Sequence, residues 1–380
     1  MGELFADRRL HQCPGQTLGG SLVHSRHPDA RQSQIHDGRD QDFGGGDAGR
    51  LELSAADGAV VLALAFLTKG AMWPLGFWLP TTYASASAPV GAMLVLMTKV
   101  GVYAVLRVWL AVFGEGSGAL EGFGFAALTF GGMATLLFGA IGMLASQDGG
   151  RMAGYGAIVS SGTLLAVIGH SGGAVLASGL YYLLGSTLAM AAFMLLIELT
   201  ERIRPPGAAL IAITMEAFAI EDKPEEPVGV GIPGALAFLG LSFAACALVI
   251  AGMPPLSGFV AKFSLFHAML AASAGPVPAT TWLLIALMVV GGLAAIIALM
   301  RLGVRIFWAS GMVAPPRLGF SEAVPVGALV VLCVLLTVQA GAVFDYLGRT
   351  TDGLLRSADY AARVLGEPPV QRAPTGEVVR

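Results

Sequence analysis

Three of the chain's four lysines stand inside hydrophobic runs: Lys69 in VVLALAFLTKGAMWPLGFW, Lys99 in VGAMLVLMTKVGVYAVL and Lys262 in LSGFVAKFSLFHAML. A lysine in hydrocarbon costs about 2.5–3.5 kcal/mol on insertion scales, so it persists where it has a task. A buried amine is expensive to charge, a nearby carboxylate restores the charge, and neighbouring amines repel one another. An amine balanced between those influences accepts a proton and hands it on. The three lysines therefore read as stations on a proton or cation path. The competing reading is snorkelling, in which each amine reaches the interface from near a helix end. His267 follows Lys262 by five residues, off its helical face, and is either a downstream relay or a packing histidine.

Those amines need elements to hold them. From residue 58 the chain reads as successive spans of about 20 apolar residues, the length that crosses ~30 Å of hydrocarbon. The spans fall near 59–79, 89–113, 123–145, 152–170, 173–198, 233–272, 280–307 and 323–345. The first is interrupted by Pro74, shortly after Lys69. The sixth is too long for one straight helix and contains GMPPLSG, where Pro254 and Pro255 remove backbone donors and force a break. Broken helices at membrane depth are tolerated where the freed backbone lines a protein interior or a wet cavity. A lysine beside each of two breaks is the pattern of internal repeats in transporters, and a simple packing kink is the alternative. Lys69 lies ten residues before Leu79 and Lys99 twelve after Ser87, offsets of about 15 and 18 Å that place both amines near mid-depth.

The rest of the composition agrees. Of 380 residues, 55% are hydrophobic and 12% charged, and the mean hydropathy is +0.73. A soluble domain carries about 25% charged residues, so the expected fold class is all-α, a polytopic membrane protein with about eight transmembrane helices. The net charge of −3 offers no patch for nucleic acid. Cys13, Cys246 and Cys333 are too far apart in sequence for a metal motif and read as packing residues. No nucleotide-binding glycine loop, metal cluster or nucleophile–base pair is visible, so neither catalytic chemistry nor a cofactor is expected.

Residues 1–57 form a polar segment apart from the membrane domain at 58–348, which a tail at 349–380 follows. The first 50 residues hold six arginines and four of the six histidines (His11, His24, His27, His36) without zinc spacing or an apolar core. They are expected to be disordered or non-native, from a misassigned start or a shifted frame. Arg151, Arg202, Arg204, Lys223, Arg301, Arg305 and Arg317 fall on one side of the alternating spans. The loops opposite, at 114–122, 171–173 and 273–279, carry Glu115 and Glu121 and no Lys or Arg. The positive-inside rule makes the first side cytoplasmic, including the acidic loop within 199–230, and leaves the tail outside. Glu198, Glu201, Arg202 and Arg204 mark a helix boundary there; His170 is an interfacial residue, and Arg107 can snorkel. Tyr155, Ser160 and Ser161 in GYGAIVSSGTLL read first as close-packing residues and second as the lining of a hydrated route.

KGAMWPLGFWLP, MTKVGVYAVLRV and GMPPLSGFVAKF together resemble the antiporter-like subunits shared by respiratory complex I and the Mrp multisubunit cation/proton antiporters. GLYYLLGSTLAMAAFMLLIELTERIRPP, the acidic loop TMEAFAIEDKPEEPVGVGIP, RIFWAS and the late TVQAG look closest to the D-type subunits of the Mrp (Pha or Mnh) monovalent cation/proton antiporters. The resemblance spans about residues 58–365. It implies a fourteen-helix fold with two inverted five-helix repeats, of which this chain lacks some six helices. It also implies a polar axis of lysines: Lys69 matches the lysine of the first broken helix, Lys99 that of the next helix, and Lys262 that of the second broken helix. The family's glutamate partner of the first lysine has no counterpart here, and Gly185 stands where the family commonly has histidine. The function implied is proton translocation in a K+ or Na+/H+ antiporter of the bacterial inner membrane, in a hetero-oligomer with other antiporter subunits. A proton-pumping subunit of an NADH:quinone oxidoreductase or membrane hydrogenase, or an inactive fragment, are the rivals.

Overall fold

The computed structural model describes residues 58, 60–113, 124–170, 172–202, 234–273, 275–307, 319–355 and 366. The polar segment at 1–57 with its histidines, Glu115 and Glu121, the acidic loop with Lys223, and the end of the tail lie outside the described residues. The described elements are all helical. In chain order they are α1 Val60–Lys69, a 3₁₀ turn Leu75–Trp78, α2 Leu79–Ser85, α3 Ala88–Phe113, α4 Phe125–Ala145, α5 Gly149–Ile168 and α6 Gly173–Arg202. There follow α7 Gly234–Ala251, α8 Ser257–Ala271, α9 Ala279–Phe307, α10 Phe320–Val338 and α11 Ala340–Leu355. Seven of these helices are long and apolar enough to cross a membrane, and the chain is a multi-pass membrane protein.

Helix α6 is the hub. It packs against α3, α5, α7, α8, α10 and α11, while α5 is sandwiched among α2, α4 and α6. The reason α5 can be so enclosed is its side chains. Gly149, Gly150, Gly154, Gly156 and Gly162 are all buried, and small residues let helix backbones approach when no hydrophobic effect drives association. At the tightest point, a Cβ on Gly162 would lie 2.5 Å from the Leu136 nitrogen, and one on Gly132 would run into the Ala166 nitrogen. Only glycine admits that α4–α5 contact.

Both expected breaks are present, and they share one backbone design. After α1, Ala71 takes φ 60°; after α7, Gly252 takes φ 79°. In each case the next methionine reaches back five residues. Met72 N–H donates to Leu67 O at 3.1 Å and Met253 N–H donates to Leu248 O at 2.9 Å. The left-handed residues themselves donate to Thr68 O and Val249 O, which completes a Schellman cap at both sites. Prolines stand just beyond each cap, at Pro74 and at Pro254–Pro255, where a helix cannot continue. The stretch expected as one span over 323–345 divides into α10 and α11 at Gln339, without a proline at the junction.

The bundle ends are tied by polar contacts. At one end Glu198 accepts from Ala88 N at 2.9 Å and so caps α3. At the same end the Arg301 guanidinium donates to Leu144 O and Ser146 O at 2.6 and 2.8 Å, and Arg305 donates to Gln147 O at 2.9 Å. Asp148 caps α5 by accepting from Arg151 N. At the other end His170 bridges Ala166 O and Thr281 Oγ1, joining α5 to the start of α9.

Candidate functional site

Lys99 is the enclosed lysine. It follows Ala88 by eleven positions in the 26-residue α3, close to the helix centre, and only 2% of its surface is accessible. Its amine donates to Ser160 Oγ in the middle of α5. The Ser160 hydroxyl in turn donates to Ala157 O, one turn back, at 2.9 Å. A buried cation is costly unless an acceptor serves it; here the acceptor is a neutral hydroxyl supplied by the glycine-rich helix.

Lys262 sits at the second break. It is half-buried on the second turn of α8, and its Nζ donates to Ala251 O at 2.7 Å. Ala251 ends α7, so its carbonyl lacks a helical partner, and the helix dipole is negative at that end. Glycine makes room for the amine: a Cβ on either Gly252 or Gly292 would lie 2.9 Å from Nζ. On its outer side a groove of about 290 Å³ opens, lined by Met253, Phe259, Phe263, Met288 and Leu293.

Lys69 is the last residue of α1 and is exposed on the chain's flank. Its backbone nevertheless meets α3 near Lys99, because a Cβ on Gly101 would lie 3.3 Å from Lys69 Cβ. The break that follows is pinned to α4, where Thr135 Oγ1 accepts from Trp73 N at 2.9 Å. His267 is exposed on α8, and Pro74, Pro254 and Pro255 are exposed at the breaks.

A small cavity of about 20 Å³ lies between α5, α6 and the α7/α8 break. Ser160, Tyr182, Gly185, Ser186, Gly258 and Ala261 are among its walls. The structure thus brings Lys99, Ser160 and the second break to one inner region, while Lys69 and His267 stand on its outside. Ser160 is the residue that sequence reasoning underweighted. A serine in a membrane helix more often serves packing, and only the position of Ser160 facing Lys99, which the sequence does not show, marks it as an acceptor.

Residues 46–211 match the family model described as NADH:quinone oxidoreductase/Mrp antiporter, transmembrane. The chain is 49% identical over 317 residues to a Rhizobium meliloti protein named as the probable D-type subunit of a K(+)/H(+) antiporter, covering 82% of this chain and 59% of that relative. It is 26% identical over 313 residues to the D-type Na(+)/H(+) antiporter subunit of Alkalihalophilus pseudofirmus, covering 81% of this chain and 58% of that one. Among solved structures it shares its fold with a chain of the Mrp complex from Dietzia sp. DQ12-45-1b, at TM-score 0.64 and 23% identity, over 82% of this chain and 61% of the other. The chain spans about six-tenths of the length of these relatives. Helical architecture, paired breaks and these similarities agree: residues 46–211 match the transmembrane family shared by NADH:quinone oxidoreductases and Mrp antiporters, and the chain as a whole is similar to D-type antiporter subunits.

Proposed function

We propose that this chain is a proton-translocating membrane subunit of a multisubunit K+ or Na+/H+ antiporter, a secondary transporter without catalytic chemistry of its own. Lys69, Lys99 and Lys262 are its relay, with His267 downstream of Lys262, and the breaks at Pro74 and Pro254–Pro255 give the relay its openings. Its partners are the other antiporter subunits of a hetero-oligomer in the bacterial inner membrane. The end carrying Arg151, Arg301 and Arg305 faces the cytoplasm, and so does the loop within 199–230. The reading is carried by one observation: an almost fully enclosed lysine at the centre of a membrane helix, served by a hydroxyl that can both accept and donate. Such a group has little structural reason to be a lysine, since an apolar residue would fill the site without desolvating an amine.

The test uses inverted membrane vesicles with the chain co-expressed with its neighbouring subunits. Proton movement is driven by added K+ or Na+ and read with a pH-sensitive dye. Lys69→Ala, Lys99→Ala and Lys262→Ala each abolish cation-driven exchange. Exchange at the unmodified rate in all three refutes the relay.

A further inference from the structure

Cys246 on α7 and Cys333 on α10 are distant in sequence, yet they face one narrow cavity where the two helices pack. Both are buried free thiols, 2% and 4% accessible, and they are close enough to interact electrostatically. Helical spacing explains the placement. Cys246 and Val249 share one face of α7, while Val330, Cys333 and Val334 share one face of α10. Ala245 and Leu256 complete the walls, so the two sulfurs are the side-chain donor atoms of this space. Among the described residues no third His, Cys, Asp or Glu joins them. The cavity measures about 10 Å³, at the lower limit for one water, and it has room for a single atom rather than a molecule.

Cysteine thiolates select soft metal ions. Two ligands in a dry space make a linear complex, the geometry that suits a closed-shell d10 ion. Charge then decides among such ions. Two thiolates on silver(I) or copper(I) leave a net negative charge among apolar walls, and a buried unpaired charge is costly. On a divalent ion the same two thiolates give a neutral complex. We infer that Cys246 and Cys333 form a linear, two-coordinate site for the mercuric ion, held as a neutral bis-thiolate that ties α10 to α7. Loading is a ligand exchange in which nothing is oxidised or reduced. The ion arrives as its neutral dichloride; each S–H bond is replaced by an S–Hg bond, each Hg–Cl bond breaks, and two molecules of HCl leave. A neutral dichloride enters hydrocarbon, and Val334 offers the way in, because it is 42% accessible on the outer face of α10 and is also a wall of the cavity. The tie falls within the last two turns of α7, just before the second break.

The test uses the full chain in its native membranes with Cys13→Ser, which leaves Cys246 and Cys333 as its two cysteines. The membranes are treated with mercuric chloride and washed with excess glutathione, a monothiol; the chain is then purified and its mercury counted. One mercury per chain is expected, and X-ray absorption at the mercury edge is expected to show two sulfurs in a line. Cys246→Ala and Cys333→Ala each remove a sulfur without adding bulk. Either leaves a single-point attachment that glutathione competes away, so retention falls by about a hundredfold or more, the loss expected when two linked contacts become one. Excess silver(I) is expected to leave the mercury in place. Equal retention by the single-cysteine chains, displacement by silver(I), a third ligand at the metal, or no retained mercury with both cysteines present would each overturn the inference. The X-ray measurement needs neither alanine variant, so it decides the site even where a variant does not insert. None of these readouts depends on cation-driven exchange, and the site stands or falls apart from the relay.

Discussion

Ser160→Ala tests the relay at its most buried contact. The substitution deletes one oxygen from a helix already rich in small residues, so α5 keeps its packing against α4 and α6. What is lost is the acceptor for Lys99 Nζ, in a place where 2% of the lysine is accessible. A hydrogen bond to a charged group contributes about 1.5–3 kcal/mol. If that bond is made whenever a proton passes through Lys99, its loss raises the barrier by a like amount, and each ~1.4 kcal/mol is a factor of ten in rate. Exchange in inverted vesicles is therefore expected to slow by about tenfold to a hundredfold, with the protein still present in the membrane at its usual level. Ser160→Thr keeps the hydroxyl and is expected to recover most of the rate. Ser160→Ala exchanging at the unmodified rate, alongside an inactive Lys99→Ala, would refute the claim that the serine takes part.

Three further outcomes follow from the packing. Gly162→Ala forces a methyl to within 2.5 Å of the Leu136 nitrogen, so α4 and α5 must separate; overpacking of this kind costs about 1–3 kcal/mol and lowers the melting temperature in detergent. Ala71→Gly relieves an L-residue held at φ 60°, whose left-handed conformation costs about 1–2 kcal/mol, and part of that returns as a higher melting temperature. Arg301→Ala removes two donors from the carbonyls of Leu144 and Ser146 at the end of α4, a loss of about 1 kcal/mol that a thermal scan reads as a downward shift.

Much of the fold could be read from the residues, for identifiable reasons. Membrane spans announce themselves because hydrocarbon demands long apolar runs, and Pro74 and Pro254–Pro255 mark breaks because proline removes a donor and clashes with the turn before it. The division at Gln339 has no such mark. There the carbonyl of Leu336 is taken by Tyr181 Oη at 2.9 Å, and Tyr181 also stacks on Phe344 with centroids 4.4 Å apart. The break is thus stabilised from another helix, through a contact 155 residues away in sequence, which no local pattern reveals. The lysines show the same limit. Their apolar neighbours place all three in the membrane domain, but which one is enclosed depends on what packs beside it. Lys99 faces α5 and is buried; Lys69, in an equally apolar run, ends α1 on an open flank.

The two breaks also bear on how lysine mutants are to be read. Both are built by the same cap, a left-handed residue followed by a methionine that bonds five residues back, and neither cap uses a lysine side chain. At the first, the freed Trp73 N–H is served by Thr135, so removing Lys69 leaves the break intact. At the second, Lys262 itself serves Ala251 O. Lys262→Ala therefore removes the proposed relay amine and orphans a carbonyl together, and its loss of exchange does not tell the two apart. Lys262→Arg does. The guanidinium keeps donors and positive charge at the end of α7, and the groove of about 290 Å³ gives its larger head room, but it does not give up its proton. The expected result is a chain that melts within about 2 °C of the unmodified one, in line with a change below 1 kcal/mol, and does not exchange. A Lys262→Arg chain that exchanges normally would make Lys262 a cap for the broken helix and remove it from the relay.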